Sequence, residues 1–149
     1  IAKGVGMIHP RMATMLSVIL TDATVAPEVL WPLLRPAAAR TWNQLSVDGD
    51  TSTNDTVFTL ASGASAAAPV GAGSPAADVL AGALEAVARD LARQQAADGE
   101  GAATLITAVA TGARDDADAR DCRPSWSRPL TSCRTASRAR GWQAIRQMC

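Results

Sequence analysis

The apolar positions change period several times along the chain, and each change marks an element. Met15 to Leu20 is a continuous apolar run with one Ser, bounded by Thr21-Asp22, and predicts a buried strand. Thr24 to Pro27 reads as a turn. From Glu28 to Ser46 the pattern is mostly helical, with Val29, Leu30, Leu33 and Leu34 on one face. Pro32 and Pro36 interrupt it, so a short first helix and a second one over about Ala37–Leu45 are expected. Val57 to Leu60 is too short to separate helix from strand. Ser62 to Gly73, rich in Gly, Ala, Ser and Pro, reads as a surface loop. Ser74 then suits an N-cap and Pro75 the first helical position. The spacing of Val79, Leu80, Ala83, Leu84, Val87 and Leu91 predicts a helix over about Pro75–Ala96, ended by Asp98-Gly-Glu-Gly. Thr104 to Thr111 alternates and is β-rich. Arg114 to Arg120 reads as the opening of another helix, its Asp115, Asp116 and Asp118 placed well for the helix dipole. Past Arg120 no period is sustained.

Composition sharpens that boundary. Residues 1–120 hold eight Lys/Arg against thirteen Asp/Glu, whereas residues 121–149 hold six Arg against one Asp. All three cysteines (Cys122, Cys133, Cys149) lie in the last stretch, at a spacing that fits no zinc pattern. The 149 residues suit one domain, and much of the 48% apolar content is Ala, so a core must come from Val, Leu and Ile. No run approaches the length of a membrane span, and no basic-then-apolar leader opens the chain. The first residue is Ile, with no initiator Met, as in a fragment or a processed product.

Three stretches are polar where an ordinary chain would be bland: Lys3 to Thr14, Asp48 to Thr56, and Asp98 to Gly101. Each abuts a strand or helix end, as site-forming segments of mixed α/β folds do. Taken singly, each has a structural reading. Lys3-Gly-Val-Gly suits a solvated turn and lacks the phosphate-loop fingerprint. The Asp48–Thr56 run suits a capped turn, because Asp, Ser, Thr and Asn bond local backbone. Asp98-Gly-Glu-Gly suits a tight helix-to-strand turn. Thr14 follows the small Ala13 at the mouth of the first strand. A hydroxyl held there is a candidate nucleophile, although Thr also commonly opens strands for structural reasons alone. His9, the one histidine, reads as a surface or turn residue.

Taken together, Lys-Gly-Val-Gly-Met-Ile-x-Pro-x-Met-Ala-Thr-Met-Leu, then Val-Asp-Gly-Asp-Thr-Ser-Thr-Asn-Asp-Thr, then Asp-Gly-Glu-Gly-Ala, resemble the ornithine acetyltransferase family, over residues 1–120 and in the same order and spacing. Its members are also called bifunctional glutamate N-acetyltransferase/amino-acid acetyltransferase of arginine biosynthesis. The resemblance implies an α/β (α+β) fold, part of an N-terminal-nucleophile-like layered architecture that is incomplete in this chain. It implies self-cleavage between Ala13 and Thr14, after which Thr14 is the N-terminal catalytic nucleophile. Residues 1–13 are then the end of an α-chain segment and residues 14–120 the start of a β-chain catalytic segment. Thr14 would take acetyl from N-acetylornithine and pass it to glutamate, with acetyl-CoA as a further donor in some members and no cofactor or metal. The family's substrate-binding Lys matches Lys3, eleven residues before Thr14, and its binding Glu matches Glu100, eighty-six residues after it. Asp50 and Asn54 fall to site-shaping roles. A cytoplasmic enzyme of two α and two β chains is implied, binding neither nucleic acid nor membrane.

The chain departs from the family in two places. Ala102-Ala103-Thr104 stands where members often have Ala-Thr-Lys. From Asp121 onward the chain is unlike the family, with the abrupt Arg, Ser, Pro, Cys and Trp content that a shifted reading frame gives in a GC-rich gene. The family's oxyanion-hole Thr-Gly pair falls upstream of residue 1, and its C-terminal substrate-binding residues fall beyond the departure. The 149 residues by themselves are therefore expected to have little activity. Two other readings remain open: an inactive fragment of that enzyme, and a related N-terminal-nucleophile aminopeptidase.

Overall fold

A computed structural model describes residues 1–4, 6–9, 12–47, 54–110, 114–115 and 142–148. The chain divides into two compact units, Ile1–Ile106 with Ile145–Cys149, and Thr107–Ala144. The first carries the sheet, both helices and the candidate site. The second runs from within β7 (Thr104–Ala110) into β8 (Trp142–Met148). The helix expected from Arg114 falls almost wholly outside the described residues.

Strand β4 (Leu16–Thr21) is the centre of the first unit. It pairs antiparallel with β1 (Ala2–Lys3), Lys3 opposite Leu16, and parallel with β6 (Thr56–Ala61) along its whole length. That pairing makes a strand of the Val57–Leu60 stretch, whose pattern alone leaves its state open. The apolar run predicts a buried strand, and the strand is buried on one face only. Ser17 and Ile19 face inward, whereas Leu16, Leu20, Phe58 and Leu60 are exposed, Leu20 at 72%. Strict alternation in β4 and β6 explains this, because every second side chain turns away from the helices.

Helix α1 spans Pro27–Ala39 without a break, against the expected split at the prolines. Pro27 sits at the first helical position, where the missing N–H is unused. Pro32 and Pro36 lie on the exposed side, where water can take the carbonyls they leave unpaired. Leu30, Leu34 and Ala37 are buried on the other side, and that burial holds the helix through both prolines. The second expected helix does not form. Thr41 Oγ1 donates to the Ala37 carbonyl at 2.7 Å, ending α1. A 3-10 turn (Trp42–Gln44) then leads to β5 (Leu45–Ser46), which pairs parallel with β8 at Ile145 and Arg146.

Helix α2 spans Pro75–Ala97, one residue past its expected end, with Ser74 Oγ accepting the Ala77 N–H at 3.2 Å. Its buried face is narrower than the apolar spacing suggests. Ala77, Leu84, Ala88, Ala92 and Ala96 are buried, whereas Val79 is 74% exposed. Small side chains let α2 lie close on the core formed with Ile19, Leu30, Trp42, Leu45 and Val47. Among the described residues no helix is long and apolar enough to cross a membrane.

Candidate active site

The segment around Thr14 is a hairpin folded onto the end of β4. Strands β2 (Ile8–His9) and β3 (Met12–Ala13) pair antiparallel, Ile8 opposite Ala13 and His9 opposite Met12. Ile8 is fully buried and anchors the hairpin in the core, and its carbonyl accepts the Val47 N–H at 2.8 Å. The Thr14 N–H, which belongs to the Ala13–Thr14 peptide, donates to the Met7 carbonyl at 2.9 Å. Met7 adopts a left-handed backbone with φ of 53°, uncommon for a residue with a side chain. This conformation turns the chain between β1 and β2 and aims its carbonyl at Thr14. Thr14 thus sits at a junction, with the hairpin on one side and β4 on the other.

Two contacts fix the residue that follows. The Met15 N–H donates to Asp55 Oδ1 at 3.2 Å, and the Met15 carbonyl accepts the Thr56 N–H at 3.0 Å. The Asp48–Thr56 run, read from the sequence only as site-shaping, therefore contains a residue that holds the backbone beside Thr14. Nothing in its sequence neighbourhood sets Asp55 apart from the other polar residues of that run. Thr14 Oγ1 is buried and has no hydrogen-bond partner among the described residues. Such a hydroxyl is a poor structural anchor and is available for chemistry.

A cleft of ≈ 670 Å³ opens at this junction, within the range of small-molecule sites. Lys3 enters it from β1, Gly4, Gly6 and Met7 from the segment that follows, Thr14 and Met15 from the junction, and Leu16 from the start of β4. Asn54 enters from the segment before β6, and Glu100 from the turn after α2. Lys3, Thr14, Asn54 and Glu100, far apart in sequence, are thus brought to one cavity. Ala13 is in β3, immediately before it. Asp50 lies outside the described residues. A cation and a carboxylate at such a cleft can meet the carboxylate and ammonium groups of an amino acid. Among the described residues there is no cluster of three or more His, Cys, Asp or Glu side chains arranged to hold a metal ion.

The wall of the cleft depends on a close backbone approach. Gly4, with φ of +149°, faces the Thr14 carbonyl, and a β-carbon there would stand 2.6 Å from that oxygen. Behind Gly4 lies Gln95 of α2, whose Oε1 accepts the Trp42 indole N–H at 2.8 Å. This buried pair spans 53 residues of sequence, and no local sequence pattern marks it.

A family model described as ArgJ family matches residues 1–136. The arginine biosynthesis bifunctional protein ArgJ of a Synechococcus strain is 52% identical over 120 residues, covering 80% of this chain and 29% of that protein. The protein of the same name from Desulfotalea psychrophila is 49% identical over 118 residues, 79% of this chain and 30% of the relative. The chloroplastic ArgJ of Physcomitrium patens is 50% identical over 120 residues, 80% of this chain and 23% of its own length. The crystal structure of the Bacillus halodurans arginine biosynthesis bifunctional protein ArgJ matches with a TM-score of 0.68 at 40% identity, covering 73% of this chain and 51% of that one. The chain spans less than a third of the length of these curated relatives and about half of the solved chain.

Proposed function

The chain belongs to the ArgJ family, and on that basis we propose that it carries the nucleophile segment of an acetyltransferase of arginine biosynthesis. One observation supports this reading most: Lys3, Thr14 and Glu100 line a single cleft, with the Thr14 hydroxyl buried and unpartnered among the described residues. Residues 1–13 are read as the end of the α segment, residues 14–120 as the start of the β segment, and residues 121–149 as an off-family tail. The family model reaches residue 136, so the boundary near residue 120 rests on the change in sequence pattern.

The proposed chemistry begins with self-cleavage. Thr14 Oγ1 attacks the Ala13 carbonyl carbon, the C–N bond breaks, and the nitrogen takes the hydroxyl proton to become an α-amine. Water hydrolyses the resulting ester, leaving the Ala13 carboxylate and a free Thr14 hydroxyl. The new amine, with an intrinsic pKa of about 8, is the base for its own hydroxyl. Thr14 Oγ1 then attacks the acetyl carbonyl of N-acetylornithine, ornithine leaves with the proton, and the glutamate amine attacks the acetyl ester to restore Thr14. Lys3 binds a substrate carboxylate as a point charge and Glu100 a substrate ammonium. Asn54, with Asp50 in the preceding run, shapes the cleft. Acetyl-CoA would enter as a donor substrate. The enzyme is placed by this reading in the cytoplasm as an assembly of two α and two β chains.

Intact mass of the protein carrying this sequence tests the reading. The wild type should separate between Ala13 and Thr14, with the two pieces together heavier by one water, and Thr14→Ala should stay whole. Label should exchange between ornithine and N-acetylornithine. An uncut wild type that still transfers acetyl would overturn the mechanism, and peptide hydrolysis without exchange would overturn the reaction class. A second reading, a fragment that keeps the nucleophile but does not turn over by itself, is favoured by the short coverage of the relatives. Cleavage without exchange or hydrolysis in the 149 residues, with exchange in a full-length protein, would select it.

A further inference from the structure

Gln95 is 5% exposed, near the end of α2, in a stretch whose sequence reads as ordinary helix surface. The Trp42 indole N–H is a donor only, so it fixes the amide orientation: Oε1 must face the indole, and Nε2 faces away from it. That Nε2 is buried and has no hydrogen-bond partner among the described residues. It stands 3.3 Å from the point where a β-carbon on Gly4 would lie, and the Thr14 carbonyl oxygen stands 2.6 Å from the same point. The bare α-carbon of Gly4 therefore leaves an amide donor and the Thr14 carbonyl converging on one small space. Buried amide donors are ordinarily paired. One without a partner, locked in orientation and next to an acceptor, marks a contact completed in another state of the molecule.

We propose that Gln95 is a positioning residue for Thr14, donating from Nε2 to the Thr14 carbonyl across Gly4 once the Ala13–Thr14 bond is cut. This rests on the reading of Thr14 as the self-cleaving nucleophile. Before cleavage the hairpin holds Thr14 from one side and β4 from the other. Cleavage frees the hairpin side, and the new terminus gains rotation about its own backbone. The bond from Met15 N–H to Asp55 holds one edge of the planar Thr14–Met15 peptide, and the Thr14 carbonyl lies on its other edge. A donor on that carbonyl holds the second edge, so the plane from which the Thr14 α-carbon and hydroxyl project cannot rock and the hydroxyl stays directed into the cleft. Gln95 itself does not line that cleft, so it acts through Thr14 and not on substrate. Trp42 is the second link, because the indole decides which end of the amide faces Gly4.

The test uses the protein carrying this chain, with Gln95→Met and Gln95→Glu beside the wild type. It measures intact mass, thermal midpoint, and kcat and KM for the acetyl donor across pH. Both variants should still cleave. Gln95→Met, isosteric but without the amide, should lose about tenfold in kcat with KM within about twofold. Gln95→Glu should lose more at neutral pH, because a carboxylate faces the Thr14 carbonyl, and its deficit relative to wild type at the same pH should shrink on acidification as that carboxyl takes a proton. A merely structural glutamine would not produce that pH signature. A kcat within about twofold of wild type in both variants, or a loss that follows the thermal midpoint with no pH signature in Gln95→Glu, overturns the proposal. Failure of the underlying reading is separate: Thr14→Ala would then still transfer acetyl, whatever the Gln95 variants do.

Discussion

Gly4 and Thr14 meet backbone to backbone: a β-carbon at Gly4 would stand 2.6 Å from the Thr14 carbonyl oxygen. The obstacle is main chain and cannot rotate away, and a φ of +149° is itself strained for any residue with a side chain. The strand that carries Lys3 therefore approaches the candidate nucleophile only because residue 4 is glycine. Gly4→Ala should push β1 off Thr14, cost about 2 kcal/mol of stability and suppress cleavage at Ala13–Thr14. Urea unfolding and intact mass check both effects. Wild-type stability with full cleavage would mean that the close approach is dispensable.

Asp55 holds the other side of the junction through the Met15 N–H, 3.2 Å from Oδ1. Asp55→Ala removes the acceptor from a partly buried amide and should cost about 1 kcal/mol, with slower self-cleavage as the junction loosens. Asp55→Asn keeps an oxygen in the same place and should cleave at close to the wild-type rate. Time-resolved intact mass after expression at low temperature separates the two. Equal rates in Asp55→Ala and wild type would remove Asp55 from the account.

The sequence made some of this legible, for identifiable reasons. Helix α2 could be read because Ser74, Pro75 and the apolar spacing all point the same way, and Ser74 does cap it. The depth of α2 could not be read, because the alanines that bury themselves look neutral beside Val79 and Val87, which face water. Helix α1 was underestimated because local propensity counts Pro32 and Pro36 against it, whereas burial of Leu30, Leu34 and Ala37 is a tertiary effect. Thr14 can be named from its place at the mouth of a strand, Lys3 and Glu100 only through the family resemblance, and the structure brings the three to one cleft. Asp55, Gln95 and the bare face of Gly4 can be named in neither way, since each matters only through a partner distant in sequence.

Trp42 and Gln95 form the longest-range side-chain bond of that hidden group. Trp42 is 3% exposed, so its indole N–H has no access to bulk water if Gln95 is lost. Trp42→Phe keeps most of the apolar volume but strands Gln95 Oε1 and should cost about 1–3 kcal/mol. Gln95→Leu should cost a similar amount by stranding the indole. The double variant should cost less than the two losses combined, because each single change already breaks the shared bond. Chemical denaturation of the three proteins gives the coupling, and strict additivity would show that the bond carries no energy.

Glu85 ties the two helices at the surface and sets a pH dependence with a definite sign. It accepts Arg40, at the end of α1, at 2.7 Å, and Arg89, one turn along α2, at 2.6 Å. The hydrogen bond from Arg40 is the main cause of a carboxyl pKa held below its usual value, aided by Arg89 and opposed by partial burial. A depressed native pKa means that the unfolded chain binds the proton more tightly. The contribution is thus full above the ordinary carboxylate range and is lost as pH falls through the lowered native value. The Arg40 side chain is 62% exposed, so screening limits the effect to about 0.5–1 kcal/mol. Glu85→Gln should lower the thermal midpoint at pH 7 by a few degrees, with the gap to wild type closing below about pH 4 and narrowing in high salt. A gap that persists unchanged through both titrations would assign the loss to packing instead of charge.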